Sequence, residues 1–221
     1  MPAITERESQ SENIAQILKG YVSILMRFPV LALAVMQFLR TTFWGAAGLA
    51  LPLLIKNLTG SNIAVGAFSA ATLTAGVAAV LIIGPVSDRI GRKKVVLASI
   101  ATMVVGSLVL ASTFGAAWGL FVAGTAASIG AWTLSGQVPP LVKQIERGGE
   151  SGRVMALTAF PWALGMMTGS QLHGRLTETD PETLFRLTTA LLIGSFLAGI
   201  LLFARGGIDR ASYTDQDHNR T

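Results

Sequence analysis

Six long apolar runs alternate along this chain with short polar or charged breaks, at residues 29–55, 63–83, 95–112, 118–141, 154–174 and 184–203. Each is near the ~20 residues with which a helix crosses ~30 Å of hydrocarbon. Lipid offers no partner for a free backbone N–H or C=O, so such runs must bond internally as helices. The strict in–out alternation of a membrane barrel is missing from them. The expected fold class is therefore all-α, a polytopic membrane protein of six transmembrane helices. Residues 1–13 are polar and unpatterned, and the next segment carries Ile14, Ile17, Leu18, Tyr21, Leu25 and Phe28 at helical spacing, with Lys19 and Arg27 elsewhere. That spacing predicts an amphipathic helix on the membrane surface or an extension of the first span. The expected organisation is a leader over 1–28, a bundle over 29–204 and a polar, mobile tail over 205–221. The apolar pattern begins too late for a cleavable signal peptide.

Composition agrees with the pattern. Hydrophobic residues make up 51% of the chain and charged ones 13%, against about 25% charged in an ordinary soluble domain. The net charge of +5 does not point to nucleic acid, because the basic residues sit at the ends of spans, where headgroups and orientation explain them. With the amino terminus inside, Arg27, Arg89, Arg92, Lys93, Lys94, Lys143, Arg153 and Arg205 share one side, while Lys56, Arg175 and Arg186 lie on the other. The charge bias thus predicts a plasma (inner) membrane protein with both termini cytoplasmic. The chain has no cysteine, which excludes disulfides and thiolate chemistry. No spaced cluster of His, Asp or Glu suggests an enzyme, a metal site or a cofactor.

The break between the second and third runs is the most specific segment, Gly84-Pro85-Val86-Ser87-Asp88-Arg89-Ile90-Gly91-Arg92-Lys93-Lys94. Gly84 would let the backbone pack closely as the helix leaves the membrane, and Gly91 would allow a positive φ. Arg92, Lys93 and Lys94 stand where anionic headgroups attract them. Asp88 is the one carboxylate among cations and can pair with Arg89 or Arg92.

This segment, in the pattern Gly84-x-Val86-Ser87-Asp88-Arg89-x-Gly91-Arg92-Lys93, resembles the signature of the major facilitator superfamily between its second and third spans. Its position after the second run, and the basic loop from Lys143 to Arg153, resemble the family too. The resemblance implies the amino-terminal six-span half of a transporter that works by alternating access against a second six-span bundle. It implies that Asp88 latches onto that bundle and that Arg92 joins an ionic network near the end of the fourth span, with Glu146 or Glu150 as partners. Gly84, Asp88, Arg89, Gly91, Arg92 and Glu146 are thus candidate latch residues, the alternative being a signal that only keeps positive charge inside. In the fifth span, Gly165 and Gly169 look like part of the glycine-proline element of family antiporters, but Ser170 and His173 depart from it. Read from the residues, they form a small-x-x-x-small face for close helix packing.

Inside the bilayer, Arg40 lies roughly 16 Å into the first span, with Gln37 one turn before it and Trp44 one turn after. An arginine there costs at least ~2.5 kcal/mol and is rarely left facing lipid. It is expected to bind substrate or gate a cavity, the alternatives being a carbonyl-capped structural role or snorkelling. Gln137 in the fourth span joins Arg40, Gln37 and Trp44 as a candidate cavity residue, and Ser135 and Gln171 are further polar candidates. All 12 acidic residues lie outside the six runs, so none holds a cation at mid-membrane. His173 sits near the outer end of its span and reads as an interfacial histidine, and the Asn57-Leu58-Thr59 sequon hugs the membrane.

The expected function is secondary transport of a small anionic or neutral polar solute, with the lipid bilayer and a second bundle, from a separate chain or a second copy, as partners. The alternative is a truncated, non-transporting remnant or an accessory protein that binds another membrane protein.

Overall fold

The computed structural model of the chain describes residue 16, residues 18–146 and residues 149–205, and all regular structure among them is helical. Most of the polar leader, the tail after Arg205, and Arg147 lie outside the described residues. A leader helix over 18–25 is separated from the first long helix by a bend at Arg27, whose φ and ψ of −68° and 124° are extended. Its buried anchor is Ile24, 1% exposed, while Leu18, Val22 and Met26 stay exposed along one side. Six long helices follow: α1 (Phe28–Thr59), α2 (Asn62–Ile90), α3 (Arg92–Thr113), α4 (Ala117–Ile145), α5 (Ser151–Leu176) and α6 (Pro181–Arg205).

Each expected run falls inside one of these helices, but the helices run further into the polar breaks. α1 opens with proline in its first turn, where a missing N–H costs nothing, and closes on Gly60 in the left-handed region at φ 65°. Ser61 then caps α2 by accepting the Ala64 N–H at 3.2 Å. The charged segment is therefore not a turn. α2 continues through Gly84, Pro85, Asp88 and Arg89 to Ile90, α3 begins at Arg92, and Gly91 alone forms the break at φ 93°. At the corner before α6, hydrogen bonds from Thr183, including its N–H at 3.0 Å, hold Asp180 below the ordinary carboxylate pKa.

Five of the six helices are long and apolar enough to cross a membrane by composition alone. α5 is the exception, because Ser151, Arg153, Thr168, Ser170, Gln171, His173 and Arg175, with four glycines, dilute its apolar content. At 26 residues it is still about 39 Å long, and it packs more extensively on α1 than any other pair of helices in the fold. The sixth crossing is thus carried by packing rather than by hydropathy.

α1 is the central helix, seated against α5 and α6 and touching α2 and α4, while α3 packs on α4 and α6, and α2 on α4. The contact between α1 and α5 is made by glycine. A Cβ at Gly169 would stand 2.2 Å from the Thr42 carbonyl oxygen, one at Gly165 would be 2.6 Å from the Phe38 carbonyl oxygen, and one at Gly45 would be 2.6 Å from that of Met166. Backbone meets backbone at all three places, so no side chain can give way. This is the close approach by which helices associate where lipid removes the hydrophobic drive. Two apolar clusters fill the bundle, one around Leu33, Met36, Ile100, Leu134 and Leu202, the other around Phe43, Ala50, Met103, Leu120 and Phe185. Hydroxyls bridge helices between them: Thr189 donates to Ser107 at 2.7 Å, and Ser195 to the Met36 carbonyl at 3.0 Å.

Gly169→Val should separate α1 from α5 and lower stability by about 1–3 kcal/mol. Gly174→Ala, where a Cβ meets open space, should be neutral or stabilising by a few tenths of a kcal/mol. Thermal unfolding of the two variants in the same detergent distinguishes these outcomes.

Candidate solute cavity

Arg40 lies about 18 Å along a helix about 48 Å long, and it is 2% exposed. Its Nη1 donates to the Ala131 carbonyl at 3.0 Å and to Ser135 Oγ at 2.8 Å, and Ser135 in turn donates to the same carbonyl at 2.9 Å. The guanidinium is therefore tied to α4, with no carboxylate paired to it among the described residues. Its Nε is buried and has no partner. Of the four other buried side-chain polar atoms in the same condition among the described residues, two border the same space, Gln37 Oε1 one turn away on α1 and Trp132 Nε1 on α4. Orphaned buried polar groups are uncommon and each costs free energy, so three around one space mark it as a place for a polar ligand.

That space is a pair of adjoining cavities. One, of about 160 Å³, lies between Arg40, Trp44, Trp132, Ser135 and Trp162. The other, of about 260 Å³, is lined by Gln37, Arg40 and Ser135 together with Met155, Thr158 and Trp162 of α5. Arg40, Gln37 and Trp44 thus meet on one face, as their spacing of three and four residues along α1 requires. Trp132 is seated by Gly76 of α2, where a Cβ would stand 2.3 Å from the indole Cδ1.

Gln137 is not part of this face. Only two residues from Ser135, it points elsewhere because i and i+2 positions do not share a helix face. It is 3% exposed, and its Oε1 accepts from Ser87 Oγ at 2.8 Å, joining α4 to α2 within the charged segment, one residue before Asp88. Prolines 139 and 140 lie inside α4, and a helix proline leaves the carbonyl four residues back without its donor. For Pro139 that carbonyl belongs to Ser135.

The residues of the charged segment separate. Asp88 pairs with Arg92 at 3.5 Å across Gly91, with 71% of its side chain exposed, and Arg89 is exposed. Gly84 lies inside α2 with open space where its Cβ would be, so it serves no close approach. Glu146, at the end of α4, has its Oε2 buried without a partner. Glu150 takes a partner on another element: its carboxylate receives both arms of Arg27, at 2.5 and 3.4 Å, clasping the start of α1 to the start of α5. Among the described residues Arg92 therefore pairs with Asp88 across the one-residue break at Gly91, and Glu150 pairs with Arg27. His173 is satisfied within its own helix end by Thr177 Oγ1 at 2.7 Å.

Residues 33–218 match the sequence profile of the Major Facilitator Superfamily, a span that takes in α1 from residue 33 and the whole of α2 to α6. The chain belongs to this superfamily. No curated protein matches it significantly. Membership in the Major Facilitator Superfamily makes it an integral membrane protein of the transporter type, and the Arg40 cavity lies inside the matched region.

Thr158 and Trp162 on α5, and Trp132 on α4, were not apparent as cavity residues in the sequence. Helix spacing groups residues within one helix, whereas these meet Arg40 only through the packing of α1 on α4 and α5. The polar signal at Ser135 was visible, though nothing in the sequence paired it with Arg40.

Ser87→Ala should strand the Gln137 Oε1 in a buried site and destabilise the chain by about 1 kcal/mol. Adding Gln137→Leu, which removes the stranded acceptor, should recover most of that loss. Chemical unfolding of the two single variants, the double variant and the parent gives the coupling directly.

Proposed function

We propose that the chain carries out secondary transport of a small anionic or neutral polar solute by alternating access, an anion being favoured, and that it works against a second six-span bundle. One observation carries the choice of charge: the Arg40 guanidinium is buried near mid-membrane with no carboxylate paired to it among the described residues. A cation in that position is stabilised by an arriving anion, and the unpartnered Nε beside Gln37 and Trp132 offers further polar contacts.

The case for a second bundle rests on α2 and α5. Only Phe68, Gly76 and Ser87 are buried on α2, and only Val154, Thr158, Gly165 and Gly169 on α5. α5 lines the Arg40 cavities and α2 seats Trp132 through Gly76, while both present large apolar side chains outward, among them Leu81 on α2 and Phe160 and Met167 on α5. The exposed Asp88 and Arg89 lie at the end of the same α2 surface, where a latch to a second bundle would be formed. The basic loops place both termini on the cytoplasmic side of the plasma (inner) membrane in this reading.

Uptake of labelled acetate, lactate, succinate and glucose by cells expressing the chain tests the proposal. Carboxylate flux should fall at least ~10-fold in Arg40→Gln, the order expected from losing a charge-assisted contact. It should be partly kept in Arg40→Lys. Flux equal to the parent in Arg40→Gln removes Arg40 from the site, and no flux above background for any solute favours a non-transporting accessory protein.

A further inference from the structure

A third cavity, of about 230 Å³, lies next along α1 from the Arg40 site. Phe43, Leu51 and Pro52 of α1 face Phe68 and Leu73 of α2 across it, and Trp44 lines both this cavity and the smaller Arg40 cavity. Its chemistry is opposite to that of its neighbour. Three hydroxyls also stand on its wall: those of Thr72 and Ser128 donate to carbonyls of their own helices, to Ser69 at 3.0 Å and to Gly124 at 2.8 Å, and Ser69 adds a half-buried third. No buried side-chain polar atom without a partner belongs to this cavity's lining, whereas Arg40 Nε, Gln37 Oε1 and Trp132 Nε1 cluster in or beside the adjoining ones. The two kinds of wall meet at one indole.

We infer that the solute is an amphipathic organic anion, its charged group at Arg40 and an apolar body in the cavity between Phe43, Leu51 and Phe68, with Trp44 packed at the junction. This rests on the reading of Arg40 as an anion site and narrows it, since a fully polar anion would leave the second compartment unfilled. An apolar cavity of about 150 Å³ suffices for a benzene ring in a well-studied case from another protein, so this one accommodates a body somewhat larger. The source is a free acid rather than a bilayer lipid, because a volume of about 230 Å³ fits a single short chain and not a pair of acyl tails.

Binding to the full chain in nanodiscs of zwitterionic lipid, read by tryptophan fluorescence, tests the inference because Trp44, Trp132 and Trp162 all line the Arg40 cavities. The probes are acetate, butyrate and hexanoate, with hexan-1-ol and hexylamine as controls and empty nanodiscs as the blank. Affinity should rise about fourfold for each added methylene, on the order of a hundredfold from acetate to hexanoate, and both controls should bind more weakly than hexanoate. Gly48 lines the apolar cavity and has open space where its Cβ would stand, so Gly48→Leu fills that compartment from a tolerant position. It should flatten the chain-length series.

A flat series in the parent, or a series unchanged in a folded Gly48→Leu, overturns the amphipathic inference while the anion site stands. Carboxylates that fail to saturate, or that bind Arg40→Gln as tightly as the parent, overturn the anion reading itself. Hexan-1-ol binding as tightly as hexanoate would mean an apolar site alone and would also overturn it. Loss of hexanoate binding when anionic lipid is added to the nanodiscs would assign the site to a lipid headgroup and overturn the free-acid source. The parent series requires no variant, so the outcome does not depend on whether Gly48→Leu folds.

Discussion

The arrangement of this bundle turns on a guanidinium that is buried within α1 and given, among the described residues, hydrogen bonds for only two of its five N–H donors. Nη1 of Arg40 is held by the Ala131 carbonyl and the Ser135 hydroxyl, which fixes the register of α1 against α4. Nε is left without a partner. An arginine at that depth is costly, and the geometry lowers the cost without cancelling the charge. A purely structural arginine would be expected to be enclosed by acceptors on all sides. Here Nε and two further orphaned atoms border cavities, so the same residue that ties two helices together leaves part of its charge available there.

For that face to stay open, α1 must be supported from elsewhere, and the support comes from the opposite device. Gly45, Gly165 and Gly169 bring the backbones of α1 and α5 so close that a single Cβ would collide with a carbonyl oxygen. Such packing supplies dispersion contacts along the helix and holds α5 where Thr158 and Trp162 become cavity walls. It also explains why α5 tolerates a sequence too polar to be recognised as a span by hydropathy. A helix paired along its length with a neighbour depends less on lipid-facing apolar side chains than one standing at the edge of the bundle.

The charged segment plays a different part from the cavity. With α2 helical to Ile90 and α3 beginning at Arg92, two long helices are joined by one glycine, so little freedom exists between them. Ser87 bonds Gln137 on the inner face of α2, while one residue on, Asp88 faces outward and pairs with Arg92. One end of α2 is thus fastened to α4 and the adjoining ionic residues lie on the surface. Across the same end of the bundle, the Arg27–Glu150 pair clasps α1 to α5.

The sequence by itself determined the class and, for five of the six long helices, the span itself, because hydropathy over about 20 residues is a property of consecutive positions and lipid leaves the backbone no alternative to the helix. It also determined the family, through the pattern from Gly84 to Lys93, and it put Gln37, Arg40 and Trp44 on one face, because helical spacing follows from the chain alone. Only the tertiary structure decided which residues those three meet. Gln137 and Ser135 are two positions apart and look alike in sequence, yet one is turned to Ser87 and the other to Arg40. Glu150, read as a partner for the charged segment, pairs with Arg27 instead. That an apolar cavity shares Trp44 with an Arg40 cavity was likewise decided only by the packing of the helices. Such choices depend on how each helix is rotated and how closely its glycines let a neighbour approach, and those quantities are set between helices, where no local spacing records them.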